Sequence, residues 1–291
     1  MSVVIPFEHL RPEDSKLFGG KAVALARLTG EGVPVPRGLC VSTAAYRRYL
    51  TDSGLELGLR RELRRKPFDD LRWEELWDAA VRIRNMFLNT PLPDDVQTEL
   101  FAAIDHHFPR KPVAVRSSAP GEDTARTSFA GLHDSFVNVR GTDSILDHIR
   151  LVWASLWSDR ALLYRQELGL DVASSEMAVV VQELVDGDRS GVVFSESPTR
   201  PTEAIVEAVY GLNQGLVDGT VQPDRWTLEK GTGKKLEHFI AERSVALRAS
   251  PQGVQLVTLS PDESARPPLD DAEVEQVFGL AQSLEQRFGL S

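Results

Sequence analysis

Val113-Ala-Val-Arg-Ser-Ser-Ala-Pro-Gly-Glu-Asp-Thr-Ala-Arg-Thr-Ser-Phe-Ala-Gly-Leu-His-Asp-Ser-Phe-Val-Asn-Val139 reads as a short strand ending in an arginine, a loop of small residues, and a second strand. The loop is dense in Ser, Thr and Gly, whose hydroxyls and exposed backbone N–H groups can surround an anion, and Arg116 enters it from a strand end. A phosphate seat and a polar hairpin connection with an exposed arginine both fit this stretch, and its neighbours along the chain must separate them.

Toward the N-terminus, Phe18-Gly-Gly20 precedes Lys21-Ala-Val-Ala-Leu-Ala-Arg-Leu28, a run of good helix formers with Gly30 and Gly32 behind it as a stop. A lysine is unfavourable in a first helical turn because the helix dipole is already positive there. A bound anion offsets that cost, and a solvated surface lysine is the other reading of Lys21. The GxxxxGK[ST] spacing of a Walker A loop is missing. Val33-Pro-Val-Pro-Arg-Gly-Leu-Cys-Val-Ser42 is a proline-stiffened loop running into a short apolar strand, with Ser42 or Thr43 placed to cap a helix over Ala44–Leu50. Residues 55–110 are mostly helical and strongly charged, and the spacing of Trp73, Leu76 and Trp77 predicts that both tryptophans pack in the core. His106 and His107 are adjacent, so they point to different faces of a helix and make a poor metal pair.

Toward the C-terminus, one long helix capped near Asp143 or Ser144 carries Ile145, Ile149, Val152, Leu156 and Leu163 on one side and ends before Gly169. Met177-Ala-Val-Val-Val-Gln-Glu-Leu-Val185 is a valine-rich apolar run, as in a strand covered on both faces. It turns polar at Gln182 and Glu183, which point to opposite faces, and this marks a place where a ligand can lie. Short strands with turns follow at 190–195, 204–209, 225–228, 236–247 and 254–258. A final helix presents Val274, Val277, Leu280, Ala281, Leu284 and Phe288 on one apolar face. The change from helix-rich to strand-rich organisation near residue 186 divides the chain into lobes at 1–185 and 186–291, with a ligand expected between them.

The 291 residues can bury a full core without disulfides, and 42% hydrophobic with 26% charged residues is an ordinary globular balance. Forty-three acidic against 33 basic residues give a net charge of -10, which speaks against nucleic acid as the main partner. Cys40 is the single cysteine, so no intrachain disulfide and no cysteine-based zinc site can form, and its apolar surroundings predict a buried thiol. No leader-like segment and no run of about 18 apolar residues occurs, so no membrane partner and a cytoplasmic location are expected.

Taken in order, eight short motifs resemble the ATP-binding domain of the phosphoenolpyruvate synthase, pyruvate phosphate dikinase and rifampicin phosphotransferase family. They are Gly19-Gly-Lys21, Val33-Pro-Val-Pro-Arg-Gly38, Ala114-Val-Arg-Ser-Ser-Ala119 with Glu122-Asp123, Ser128-Phe-Ala-Gly131, Trp153-Ala-Ser-Leu-Trp-Ser-Asp-Arg160, Val180-Val-Gln-Glu183, Ser190-Gly-Val-Val-Phe194 and Gly211-Leu-Asn-Gln-Gly215. The resemblance covers nearly the whole chain and implies an α+β, ATP-grasp fold holding ATP between two lobes. It implies that Lys21 and Arg116 contact ATP phosphates and carry the catalytic charge. Gly131 and Ser135 would lie along the phosphate-covering loop, and Gln182, Glu183, Leu184 and Val185 would form the hinge facing adenine. It further implies that ATP phosphorylates a histidine on a separate carrier domain or subunit, with release of AMP and phosphate, and that the carrier then serves a small-molecule acceptor bound elsewhere.

Two departures qualify this. None of His9, His106, His107, His133, His148 and His238 lies in the Ser-His-like motif of the family's carrier domain. His133, inside the loop, is expected to be a hydrogen-bond donor or solvated rather than a phosphoryl acceptor. Family members also continue into an Asp-Ile-Glu-Trp-like segment and a Gln-x-Arg-Pro strand, which supply a magnesium-binding glutamate. The expectation is a fragment, a subunit of a split enzyme, or a degenerate domain, with Glu207 and Asp224 the remaining candidates to hold Mg2+. An ATP-sensing or scaffold module without turnover, and an ATP-grasp ligase forming an acyl phosphate and ADP, are the alternative functions.

Overall fold

The computed structural model describes residues 3–120, 123–124, 127–128, 131–172 and 175–288. Its chain separates into two compact units, residues 1–184 and 185–291. Both mix helices with antiparallel sheets, which makes the protein α+β.

The first unit contains β1 (Val4–Pro6), α1 (Ser15–Gly30), β2 (Gly38–Val41), α2 (Thr43–Asp52), α3 (Leu55–Leu63), α4 (Trp73–Asn89) and α5 (Asp94–His107). These are followed by β3 (Val113–Ser118), β4 (Asp123–Thr124), β5 (Thr127–Ser128), β6 (Ser135–Val139), α6 (Thr142–Ser155), α7 (Asp159–Glu167) and β7 (Ala178–Glu183). Five strands form one sheet in the order β1-β2-β7-β3-β6. The valine-rich run becomes its central strand: Val179, Val180 and Val181 are fully buried, because helices cover both faces of the sheet. The pairing is antiparallel throughout, so a doubly covered strand here does not signal a parallel sheet.

Alternation along the strands sorts side chains between two cores. On one face Val113, Val115, Val179 and Val181 pack with Tyr46, Tyr49, Phe87, Ile149, Trp153 and Trp157. On the other, Cys40 and Val180 pack with Phe7, Phe18, Ala22 and Ala26, the last three from α1. Cys40 is a buried thiol, and desolvation pushes its pKa up. Ser42 caps α2, accepting from the Ala45 N–H at 3.3 Å.

Three expectations need correction here. Trp73 and Trp77 are 59% and 49% exposed, while Leu76, Ala80, Ile83 and Phe87 form the buried stripe of α4. At 3.6 residues per turn Trp77 stands about 100° round the helix from Leu76, outside that stripe. The long helix expected over 143–168 is two helices, because Ser158 caps a new one by accepting from the Ala161 N–H at 3.2 Å. The break shifts the phase, and Ala161, Leu162 and Arg165 face inward in α7. Its start also has no side-chain cap: Gly141 precedes α6.

The second unit contains β8 (Arg189–Phe194), β9 (Glu203–Tyr210), α8 (Gln214–Val217), β10 (Asp224–Glu229), β11 (Lys235–Phe239), β12 (Val245–Ser250), β13 (Gly253–Thr258), α9 (Pro261–Ala265) and α10 (Asp271–Phe288). Four strands pair in the order β11-β10-β9-β8, and β12 with β13 makes a separate ribbon. The strand expected over 236–247 is therefore two strands belonging to different sheets. Val274, Phe278 and Ala281 are the buried residues of α10, with Leu280 half exposed. Its core partners are Ala204, Val206, Ala208, Trp226 and Leu228.

Candidate functional site

Gly19 breaks α1 with φ 77° and ψ 163°, so the helix restarts at Gly20-Lys21. Only glycine fits: a Cβ there would stand 2.2 Å from the Ser118 carbonyl oxygen. Ser118 satisfies both sides of the break, donating to the Phe18 carbonyl at 2.8 Å and accepting from the Ala22 N–H at 3.1 Å. Lys21 thus sits in the first turn of the restarted helix, where its ammonium donates to the Ser117 carbonyl at 3.0 Å. That carbonyl offsets part of the unfavourable dipole.

Arg116 occupies β3 opposite Ser135 on β6 and Val180 on β7. Paired residues share a face, so Arg116, Ser135, Ser118 and Gln182 all lie on the α1 side of the sheet. Gln182 is 8% exposed and donates to the Pro36 carbonyl at 3.1 Å. Glu183 lies on the other face, held by Lys111 and by Arg37, whose guanidinium is 3.4 Å away. The hydrogen bond from Lys111, then that ammonium's charge and Arg37, keeps the Glu183 carboxyl below its ordinary range. The backbone of the same turn is tied twice more, Glu183 N–H to the Arg37 carbonyl at 2.9 Å and Leu184 N–H to the Pro112 carbonyl at 3.0 Å. Val33–Gly38 therefore serves as a brace for Gln182 and Glu183, Pro112 ties Leu184, and Val185 beyond them is 63% exposed.

Gly131 has φ 73° and open space above its α-carbon, and Ser135 is exposed. Six residues of the loop quoted at the outset, Gly121, Glu122, Ala125, Arg126, Phe129 and Ala130, lie outside the described residues. His133 is 8% exposed rather than solvated. Desolvation, followed by the charge of Arg165 and a smaller effect of Lys21, pushes its pKa down to about 4, so it is neutral at pH 7. A cavity of about 760 Å3 elsewhere in this unit is lined by Tyr46, Leu50, Leu59, Phe68 and Trp157, and none of Lys21, Arg116, Ser135 or Gln182 lines it.

The two carboxylates expected to hold magnesium are not brought together. Glu207 on β9 is opposite Arg225, whereas Asp224 is opposite Ala208, so they lie on opposite faces of their sheet. Asp224 is fully buried, bonded to the Arg243 guanidinium at 2.8 Å, to the His238 ring at 3.0 Å and to the Ala241 N–H at 3.2 Å. Glu207 accepts from Arg225 at 2.6 Å. Each is already paired with an arginine. Among the described residues no group of three or more His, Cys, Asp or Glu is placed to hold a metal ion. No helix among them is long and apolar enough to cross a membrane.

Residues 15–291 match the model of the pyruvate phosphate dikinase AMP/ATP-binding domain. The chain belongs to that family. It is 34% identical over 289 residues to a probable phosphoenolpyruvate synthase of Methanothermobacter thermautotrophicus, covering 97% of this chain and 42% of the relative. A phosphoenolpyruvate synthase of Aeropyrum pernix is 35% identical over 281 residues, 91% of this chain and 34% of the relative. A rifampicin phosphotransferase of a Streptomyces species is 38% identical over 275 residues, 93% and 31% respectively. The chain thus spans less than half the length of these relatives.

Sequence reasoning missed Ser118, which closes the α1 break, and Arg37 with Lys111, which hold Glu183. A serine following Arg116-Ser117 gave no sign that it would meet a helix 96 residues earlier. Arg37 was visible as part of a motif, but only register with β7 gave it a partner.

Proposed function

We propose that this chain is the ATP-binding part of a dikinase-type phosphotransferase with an ATP-grasp fold, and that it phosphorylates a histidine on a separate carrier domain or subunit. The observation that carries the reading is the placement of Lys21, Arg116 and Ser135 on the α1 side of one sheet, on regular elements, in a chain of this family. Lys21 and Arg116 are two fixed cations for the polyphosphate, and the Gly131–Ser135 limb adds backbone and hydroxyl donors. Gln182, Glu183, Leu184 and Val185 form the adenine-facing turn, its geometry braced by Pro36, Arg37 and Pro112. A carrier histidine nitrogen attacks the β-phosphorus, the bond to the α-phosphate oxygen breaks and AMP leaves, and water then releases the γ-phosphate as phosphate. Charge builds on the phosphoryl oxygens during this exchange, so positioned cations and donors supply most of the acceleration. ATP chemistry of this kind employs Mg2+, but Glu207 and Asp224 do not fit a shared ion site. The final acceptor of the phosphoryl group is a small molecule that the carrier serves.

The test is to incubate the protein with β-labelled ATP and a histidine carrier domain taken from a phosphoenolpyruvate synthase. Label on the carrier histidine together with AMP is expected. ADP as the sole nucleotide product overturns the proposal in favour of a ligase, and tight ATP binding without AMP formation overturns it in favour of a sensor.

A further inference from the structure

The limb Gly131–Ser135 is anchored from several elements at once. Asp134 accepts from the Arg84 guanidinium of α4 at 3.2 Å. Ser158, at the break between α6 and α7, reaches the Leu132 carbonyl at 3.5 Å. Between Leu132 and Asp134, the ring of His133 is itself buried. Arg165 fastens the same break: buried itself, it donates to the carbonyls of Leu156 at 2.8 Å and Ala161 at 3.2 Å. At the far end of the limb, Ser135 is in register with Arg116.

We propose that His133, next to the limb's tie to the α6–α7 break and seconded by the Arg84–Asp134 pair, is a positioning residue that sets where Gly131 and Ser135 stand relative to Lys21 and Arg116, and so sets affinity for the polyphosphate. This rests on the reading of Lys21 and Arg116 as phosphate contacts. A histidine suits the place because its neutral ring fills a buried site and offers one donor without bringing a negative charge near phosphates. The ion pair adds direction: Asp134 is a carboxylate close to an anion site, an electrostatic cost unless its bond to Arg84 holds the limb in place.

The test measures dissociation constants for ATP and for adenosine by calorimetry on the full chain, with melting temperature alongside, for His133→Ala, His133→Gln and Asp134→Ala. His133→Ala is expected to weaken ATP about tenfold and adenosine less than about twofold, while His133→Gln, which keeps an amide donor, recovers most of the ATP affinity. Asp134→Ala decides the sign. A purely electrostatic aspartate repels ATP, so its removal would tighten binding; a limb anchor predicts a loss of about threefold. Unchanged ATP affinity in His133→Ala, equal loss for ATP and adenosine, or tighter ATP binding in Asp134→Ala each overturns the inference while leaving the phosphate reading intact. If His133→Ala does not fold, His133→Gln and Asp134→Ala still decide. Equal ATP binding by the wild type and Arg116→Ala brings down the phosphate reading, and this inference with it.

Discussion

Both sheets carry charged side chains on their strands, but they use them differently. In the second unit Asp224 is closed off inside the fold by Arg243, His238 and a backbone N–H, and Glu207 is matched to Arg225 directly across the ladder. In the first unit, on the α1 face, Lys21 donates to a carbonyl, Ser118 bridges a helix break and Gln182 donates to the Pro36 carbonyl. A carboxylate enclosed by its own counter-ions is part of the architecture. On the α1 face, by contrast, Lys21 and Arg116 are the cations proposed to receive the phosphates of a ligand. On the proposed reading, the region around Asp224 carries stability and the α1 face binds the ligand.

The largest effect expected from that contrast is at Asp224. Asp224→Ala leaves Arg243 with its charge largely buried and unpaired, and a loss of about 3–5 kcal/mol in urea-melt stability is expected. A change below about 1 kcal/mol would mean that the cluster is not structural. Next, Arg116→Ala should weaken ATP about 100-fold by calorimetry with little change in melting temperature, whereas Arg140→Ala, beyond β6, should change affinity less than about threefold. Equal effects would erase the distinction between the two regions. Lys21→Ala should follow Arg116→Ala.

A smaller effect separates the buried polar groups of the first unit by pH. The folded pKa of His133, about 4, lies below its unfolded value near 6.5, so the unfolded chain binds the proton first. Its contribution to stability is complete above about pH 6.5 and is lost as pH falls toward 4, by about 2–3 kcal/mol at the end of that window. The charges of Arg165 on α7 and, less, Lys21 on α1 add to this penalty. His133→Gln should flatten the pH profile of melting temperature between 6.5 and 4, and an unaltered slope would assign the acid sensitivity to other groups.

Local patterns that need no distant partner were legible from residue order. The Ala178–Val181 run announced a doubly covered strand, Ser42 announced a helix cap, and Gly19-Gly-Lys21 announced a helix start. Where two faces or two sheets competed, the same patterns misled. Trp73 and Trp77 have helical spacing with Leu76, but spacing does not say which stripe the sheet covers, and the core took Leu76, Ile83 and Phe87. The apolar run through Leu156 continued a helical phase, yet the Ser158 cap started a new helix with another inward face.

Sequence by itself determined the membership of the family, the order of its motifs and the residue types of the candidate site, because short motifs in a fixed order are properties of the chain. Only tertiary structure decided which of those residues meet. Register placed Ser135 and Gln182 on the face of Arg116, and a close approach of Gly19 to Ser118 set Lys21 beside β3. Strand alternation put Glu207 and Asp224 on opposite sides of a sheet, so two carboxylates that look alike in sequence cannot share an ion. The physical reason is that a one-residue offset reverses the face of a side chain in a strand, and nothing in composition or motif order fixes that offset.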